Sequence, residues 1–199
     1  MDIQKTIDNL KREDFTVSYF ETAAEATASI AAGLSGKTIG FGGSQTVTEM
    51  GLYDKLAENN TVYSHGVTPG DETIQKARQA EVYISSVNAL AETGELINID
   101  GRGNRVSALL YGPKKVIFVV GVNKLAPDLH TALFRARNVA GPLNARRLNK
   151  KTPCALGSEI KCYDCSSPDR ICRGITITTR KMSGIDEMEV VLINESLGY

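Results

Sequence analysis

The 199 residues carry 23 lysines and arginines against 23 aspartates and glutamates, a formal charge of zero with a near-neutral isoelectric point. Such a balance lacks the broad cationic field that nucleic acids and acidic membranes demand, so neither is expected as a partner. The N-terminal "MDIQKTIDNLKRED" has no apolar run behind a basic flank, and no stretch approaches the roughly eighteen apolar residues of a membrane helix, so a cytoplasmic setting is expected.

In chain order, Ile3, Ile7 and Leu10 follow helical spacing, and "FTVSYF" then alternates as a strand does. "TAAEATASIAAGL" reads as a helix ending at Gly33 or Gly36, and "KTIGFG" as a short buried strand that runs into a glycine turn. In that turn, "IGFGGSQTVTE", the small residues Gly42 and Gly43 let backbone amides approach a ligand, while Ser44 and Thr46 open a helix whose first N–H groups attract phosphate or carboxylate. The spacing is neither a Walker loop nor a dinucleotide fingerprint. A plain capping box from Thr46 to Glu49 explains the same helix start without any ligand.

"TVYSH", "DETIQKARQA" and "EVYISSVNAL" continue as strand, helix and strand, and "ELINID" reads as a strand or hairpin arm. Around it, Glu95, Asn98, Asp100, Asn104 and Arg105 crowd about Gly94, Gly101 and Gly103. Such a mixture can supply a carboxylate for proton transfer, with Glu95 the candidate acid or base, and a guanidinium for an anion, with Arg105 the candidate. It fits equally a hairpin that turns at "DGRGN". "KVIFVVG" is a buried strand delivering Asn123 and Lys124 to its carboxyl end, where either can meet a ligand anion, ahead of a helix primed by Pro127. The basic run from Arg135 to Lys151 is a solvated helix face or an anion-facing rim. His65 and His130 sit in no motif with a nucleophile and read as structural or surface residues. "GITITTRK" and "MEVVLINESLGY" are strands expected to pair with each other or to return to the sheet edge.

The expected class is therefore α/β: one domain over residues 1–199, with a mostly parallel open sheet, helices on both faces and C-terminal strands. The irregular segment 150–173 interrupts it and holds all four cysteines. Cys154, Cys162, Cys165 and Cys172 offer one CxxC pair with two flanking thiols, which in a reducing compartment argues for a metal centre over disulfides. Four thiolates select an iron–sulfur cluster, expected as 4Fe-4S, or zinc as the alternative, with thiol redox chemistry and incidental thiols as the remaining readings.

Taken together, "IGFGGSQTVTEMGL", "TGELINIDGRGNRVSAL", "VIFVVGVNK", "NARRLN" and "TPCALG" leading to "CYDCSSPDRIC" resemble the LUD domain family, named for lactate utilisation. The resemblance implies a fold similar to ribose-phosphate isomerase, glucosamine-phosphate deaminase and the CoA-transferases, with Gly42, Gly43, Ser44 and Thr46 at a phosphate or carboxylate pocket. Relatives in lactate-utilisation operons act alongside iron–sulfur proteins in the oxidation of lactate to pyruvate. Their cysteine content differs from this chain, which resembles a stand-alone subgroup with its own cluster. The expected function is an iron–sulfur protein of small-carboxylate metabolism, acting in or beside a redox step. The alternatives are a ligand-binding or partner-docking module with structural zinc, or a sugar-phosphate or CoA-ester enzyme by fold analogy. An electron-transfer protein and a second copy of the chain are the partners such a role would use.

Overall fold

In the computed structural model, which describes residues 1–199, the first helix α1 (Ile3–Arg12) starts where the Asp2 carboxylate accepts the Lys5 N–H. Its Ile3, Ile7 and Leu10 share one face, which packs on the core. The strand β1 (Thr16–Phe20) follows, then α2 (Ala23–Gly33), opened by a reciprocal capping box between Thr22 and Glu25. Next come β2 (Thr38–Phe41), the short α3 (Gln45–Glu49) and α4 (Leu52–Ala57), then β3 (Thr61–Ser64), α5 (Asp71–Gln79) and β4 (Val82–Ser85). The chain continues through β5 (Ala89–Ala91), β6 (Leu96–Asp100), α6 (Asn104–Leu110), β7 (Lys115–Gly121) and the two-residue β8 (Leu125–Ala126).

The helix α7 (Leu129–Arg135) passes through a π turn at Ala136–Ala140 into α8 (Gly141–Arg147). Pro142 accounts for that turn, because proline lacks an N–H and its ring crowds the carbonyl four residues back. A one-turn α9 (Pro153–Leu156) precedes the irregular stretch, after which β9 (Gly174–Thr178) and β10 (Glu187–Ile193) close the chain.

Six strands form one all-parallel sheet in the order β1-β10-β7-β4-β2-β3. Successive residues of β7 serve opposite layers: Val116, Phe118 and Val120 face α1, α5 and α6, whereas Ile117 and Val119 face α2, α3 and α4. Burial on both faces is why this strand reads as an unbroken apolar run. Each fully buried side chain of this size contributes about 1.5–3 kcal/mol. A second sheet, β8-β5-β6-β9, packs Leu90, Leu96 and Leu125 against the main core and Ala89, Ala91, Ile97 and Ala126 against α7. No helix is long and apolar enough to cross a membrane.

The α/β class with helices on both faces is as the sequence predicts, and four local expectations are corrected. "EVYISSVNAL" is two strands in two sheets, broken at Ser86–Asn88. The hairpin of β5 and β6 turns at Gly94, whose φ of 111° suits glycine, while "DGRGN" instead leads into α6. The two C-terminal strands do not pair: β9 lies beside β6, and β10 inserts between β1 and β7 in the middle of the main sheet. Thr46 does not cap a helix; Ser44 does, its Oγ accepting the Val47 N–H at 3.3 Å.

Candidate functional site

The carboxyl ends of β2, β4 and β7 lie side by side, and the chain leaves β2 toward one face of the sheet and β4 toward the other. Open parallel sheets bind ligands in the crevice that such divergence leaves. Here it is a cleft of about 530 Å³. Gly43 and Ser44 line it from β2, Ser86 and Asn88 from β4, and Lys124 from β7. The segment Pro168–Arg173 contributes to the opposite wall. Among the cleft's cations, Arg102, Arg105 and Arg170 have carboxylate neighbours, whereas Lys124, Arg147, Lys150 and Arg173 have none within ion-pair distance.

Lys124 is only 4% exposed. Its Nζ donates to Thr46 Oγ1 at 2.6 Å and to Ser86 Oγ at 2.8 Å. Thr46, itself fully buried, donates its hydroxyl in turn to the Leu197 carbonyl at 3.1 Å. Burial first, then the positive charges of Arg135 and Arg105, pull the ammonium pKa from 10.5 down to about 7, and Glu49 opposes them only weakly. An amine that shares its protons near neutrality can both give and take one.

Arg105 forms the floor beside it. Its Nη1 donates to Asn98 Oδ1 at 2.6 Å, and its Nη2 donates to the Ile99 carbonyl at 2.6 Å and Asn88 Oδ1 at 3.3 Å. Asp100 stands 3.9 Å from its Nε and also receives the N–H groups of Arg102, Gly103 and Val106, so one carboxylate steadies both the guanidinium and the start of α6. A Cβ at position 42 would lie 2.8 Å from Arg105 Cγ and from Ser85 Oγ, which is why glycine stands there. Arg135 reaches in from α7 and donates to the carbonyls of Asn88 and Asn123 at 2.6 and 3.0 Å, tying the ends of β4 and β7 together.

The four thiols are all half-buried and unpaired, and no three metal-ligating side chains of the chain gather into one group. Cys154 and Cys162 have separate neighbours, and Cys165 and Cys172 share Arg170. Cys154 Sγ lies 3.3 Å from Thr152 Oγ1, and Cys162 Sγ receives the Asp164 N–H at 3.3 Å and Arg137 Nη2 at 3.7 Å. Arg170 donates to the carbonyls of Cys165 and Cys172, and the Cys172 sulfur, more than that of Cys165, raises its pKa. The donor chemistry fits a four-thiolate centre, and the arrangement of the sulfurs does not.

A model of the LUD domain family matches residues 3–193. The chain belongs to the LUD domain family. Its fold is similar to the crystal structure of a duf162 family protein from Deinococcus radiodurans, with a TM-score of 0.56 over 96% of this chain and 95% of that one. The two share 14% identity, so the likeness concerns the fold alone. No curated protein matches the chain.

Among the residues singled out in this LUD domain sequence, Gly42, Gly43, Ser44, Thr46, Arg105 and Lys124 come together at or directly beneath the cleft. Asn123 does not line it: its Oδ1 accepts the Leu197 N–H at 3.1 Å and its Nδ2 donates to the Gly198 carbonyl at 3.3 Å, clamping the last residues over the end of β7. Glu95 sits in the β5–β6 turn, its carboxylate taken by the Thr93 hydroxyl, and does not line the cleft. Of the basic run, Arg147 and Lys150 do form a rim, whereas Arg146 binds the carbonyls of Cys154, Gly157 and Glu159. Sequence reasoning missed Ser86 and Asn88, gave Arg135 only as the start of the basic run, and treated His65, which lies near Gly43 on the cleft wall, as background. The one available signal was the polar "SSVN" inside an apolar run.

Proposed function

We propose that this LUD domain binds a small carboxylate of the 2-hydroxy or 2-oxo acid kind in the cleft and moves a proton on it through Lys124. The observation that carries this reading is the buried Lys124 amine, titrating at about 7 and held by two hydroxyls at the floor of a cation-lined cleft. A general acid or base works best when its pKa lies near the working pH. Arg147, Lys150 and Arg173, which lack carboxylate partners, supply attraction for the acid. Arg105, whose guanidinium nitrogens are engaged by protein acceptors, supplies a fixed positive field.

Thermal unfolding in lactate, pyruvate and phosphate tests it. A concentration-dependent rise in Tm for the carboxylates that weakens in Lys124→Gln supports the reading. Unchanged Tm with all three anions refutes it.

The cysteines carry a second reading. Oxidising a 2-hydroxy acid releases two electrons; Cys154, Cys162, Cys165 and Cys172 are the residues that would hold an iron–sulfur cluster, which would supply one-electron transfer to an electron-transfer protein. The favouring observation is the placement of Arg137 against Cys162 and Arg170 against Cys172, since neighbouring cations stabilise thiolates. Anaerobic reconstitution with iron and sulfide decides: broad visible absorption with about four irons per chain supports it. Colourless protein with zinc favours a structural site, and protein that takes up neither metal removes both.

A further inference from the structure

The cleft contains two lysines, and they differ in kind. Lys150 lies half-buried at the rim, while Lys124 is enclosed with no carboxylate in ion-pair reach. The charged groups that face Lys124 are Arg105 from α6, Arg135 from α7 and Glu49 from α3, so cations prevail, and the Glu49 carboxylate already accepts the Gly198 N–H at 2.6 Å. A lysine kept to pair with an anion is best held charged; two guanidiniums and burial favour the neutral amine instead. A neutral primary amine is a nucleophile toward carbonyl carbon. The two hydroxyls complete the arrangement. Thr46 spends its proton on the Leu197 carbonyl and therefore accepts from Lys124, whereas the Ser86 hydroxyl makes no other hydrogen bond and can turn its proton toward the cleft.

We propose that Lys124 is a covalent nucleophile that forms an imine with the keto carbon of a 2-oxo acid held in the cleft. The inference rests on the small-carboxylate reading given above and goes beyond it. The nitrogen lone pair of Lys124 forms the new C–N bond as the C=O π bond breaks onto oxygen, and the ammonium proton formed on nitrogen passes to that oxygen, with Ser86 Oγ placed to relay it. The nitrogen then expels the hydroxyl with one further proton as water, leaving a protonated imine. The balance is one amine, one keto acid and one proton giving one iminium and one water, with no change of oxidation state. The cleft's unpaired arginines would hold the carboxylate, which separates a 2-oxo acid from a simple ketone.

Incubating the whole protein with pyruvate and cyanoborohydride at pH 7, followed by intact-mass measurement and peptide mapping, tests this. At that pH the proportion of neutral amine at Lys124 exceeds that of an ordinary lysine by on the order of a thousandfold. The expected result is one adduct per chain, mapped to Lys124, saturable in pyruvate, absent with lactate and weak with acetone. Because mapping is done on the unaltered chain, the result does not depend on whether Lys124→Gln folds; that variant, if folded by circular dichroism, should lose the adduct. Adducts scattered over surface lysines overturn the proposal. Pyruvate that raises Tm but leaves Lys124 unmodified overturns the covalent step and spares the anion cleft; pyruvate that neither binds nor labels removes both.

Discussion

Replacing Lys124 by methionine exchanges a buried amine for an apolar chain of similar length, and its effect on stability should depend on pH in a defined direction. In the folded protein the amine titrates at about 7, against 10.5 for an ordinary lysine. As pH falls from 10.5, the unfolded chain takes up the proton first, so the folded state loses stability through that window and levels off below about 7. At about 1.4 kcal/mol per pKa unit the whole penalty is about 5 kcal/mol. Between pH 9 and pH 7 the wild type should lose about 2 kcal/mol relative to Lys124→Met. The chain has no tryptophan, so urea unfolding followed by circular dichroism at pH 7, 8 and 9 is the suitable assay, in buffers free of carboxylate and phosphate. Groups that titrate alike in both proteins cancel in the difference. A gap between wild type and variant that stays constant from pH 7 to 9 would refute the buried neutral amine.

Arg105→Met should cost about 3–5 kcal/mol in urea, because it strands the Asp100 carboxylate and the Asn98 and Ile99 oxygens that the guanidinium satisfies; a loss under about 1 kcal/mol would mean that water replaces it. Gly42→Ala pushes a methyl to 2.8 Å from Arg105 Cγ and should destabilise by about 1–3 kcal/mol while weakening the carboxylate-induced rise in Tm; unchanged binding would show that the floor can shift freely. Glu95→Gln lies outside the cleft and should stay within about 0.5 kcal/mol of wild type with carboxylate binding unchanged, so loss of binding would return Glu95 to the site.

Much of the main sheet was legible because its strands are buried on both faces. The run at β7 has no polar interruption to confuse it with a surface strand, and α1, α2 and α5 declare themselves through apolar spacing or caps. The central place of β10 was missed although Val190 to Ile193 are successively buried, a pattern that an edge strand with one wet face does not need. The break between β4 and β5 shows in the sequence only as the polar "SSVN", which carries no glycine or proline to mark a turn. What bends the chain there is nonlocal: Asn88 Oδ1 accepts the Ile99 N–H at 2.7 Å, and the Asn88 carbonyl takes Arg135.

The glycine turn was legible as a place of close approach, but the partner that requires glycine, Arg105, comes from another element. A lysine at a strand's end is visible in any sequence; its enclosure is not, since Thr46 and Ser86 arrive from 78 and 38 residues away. The capping box between Thr46 and Glu49 fitted the local pattern and failed because both residues bind the C-terminal stretch Leu197–Gly198. Cysteine spacing likewise suggests one centre, while Cys154 lies against Thr152 and Cys162 against Arg137, and no three ligating side chains gather.

One wall of the cleft is spun from the short length of chain that joins Cys165 to Cys172. The Ile171 carbonyl presses so closely on Gly101 that a methyl there would meet it at 2.8 Å, and the Arg173 N–H is bonded to the Asp100 carbonyl at 3.0 Å. Alkylation, oxidation or metallation of either thiol should therefore shift this wall of the cleft together with the ends of β6 and β9 to which it is bonded. If the cleft takes a carboxylate as proposed, thiol reagents and carboxylates should antagonise one another although they never meet the same atom.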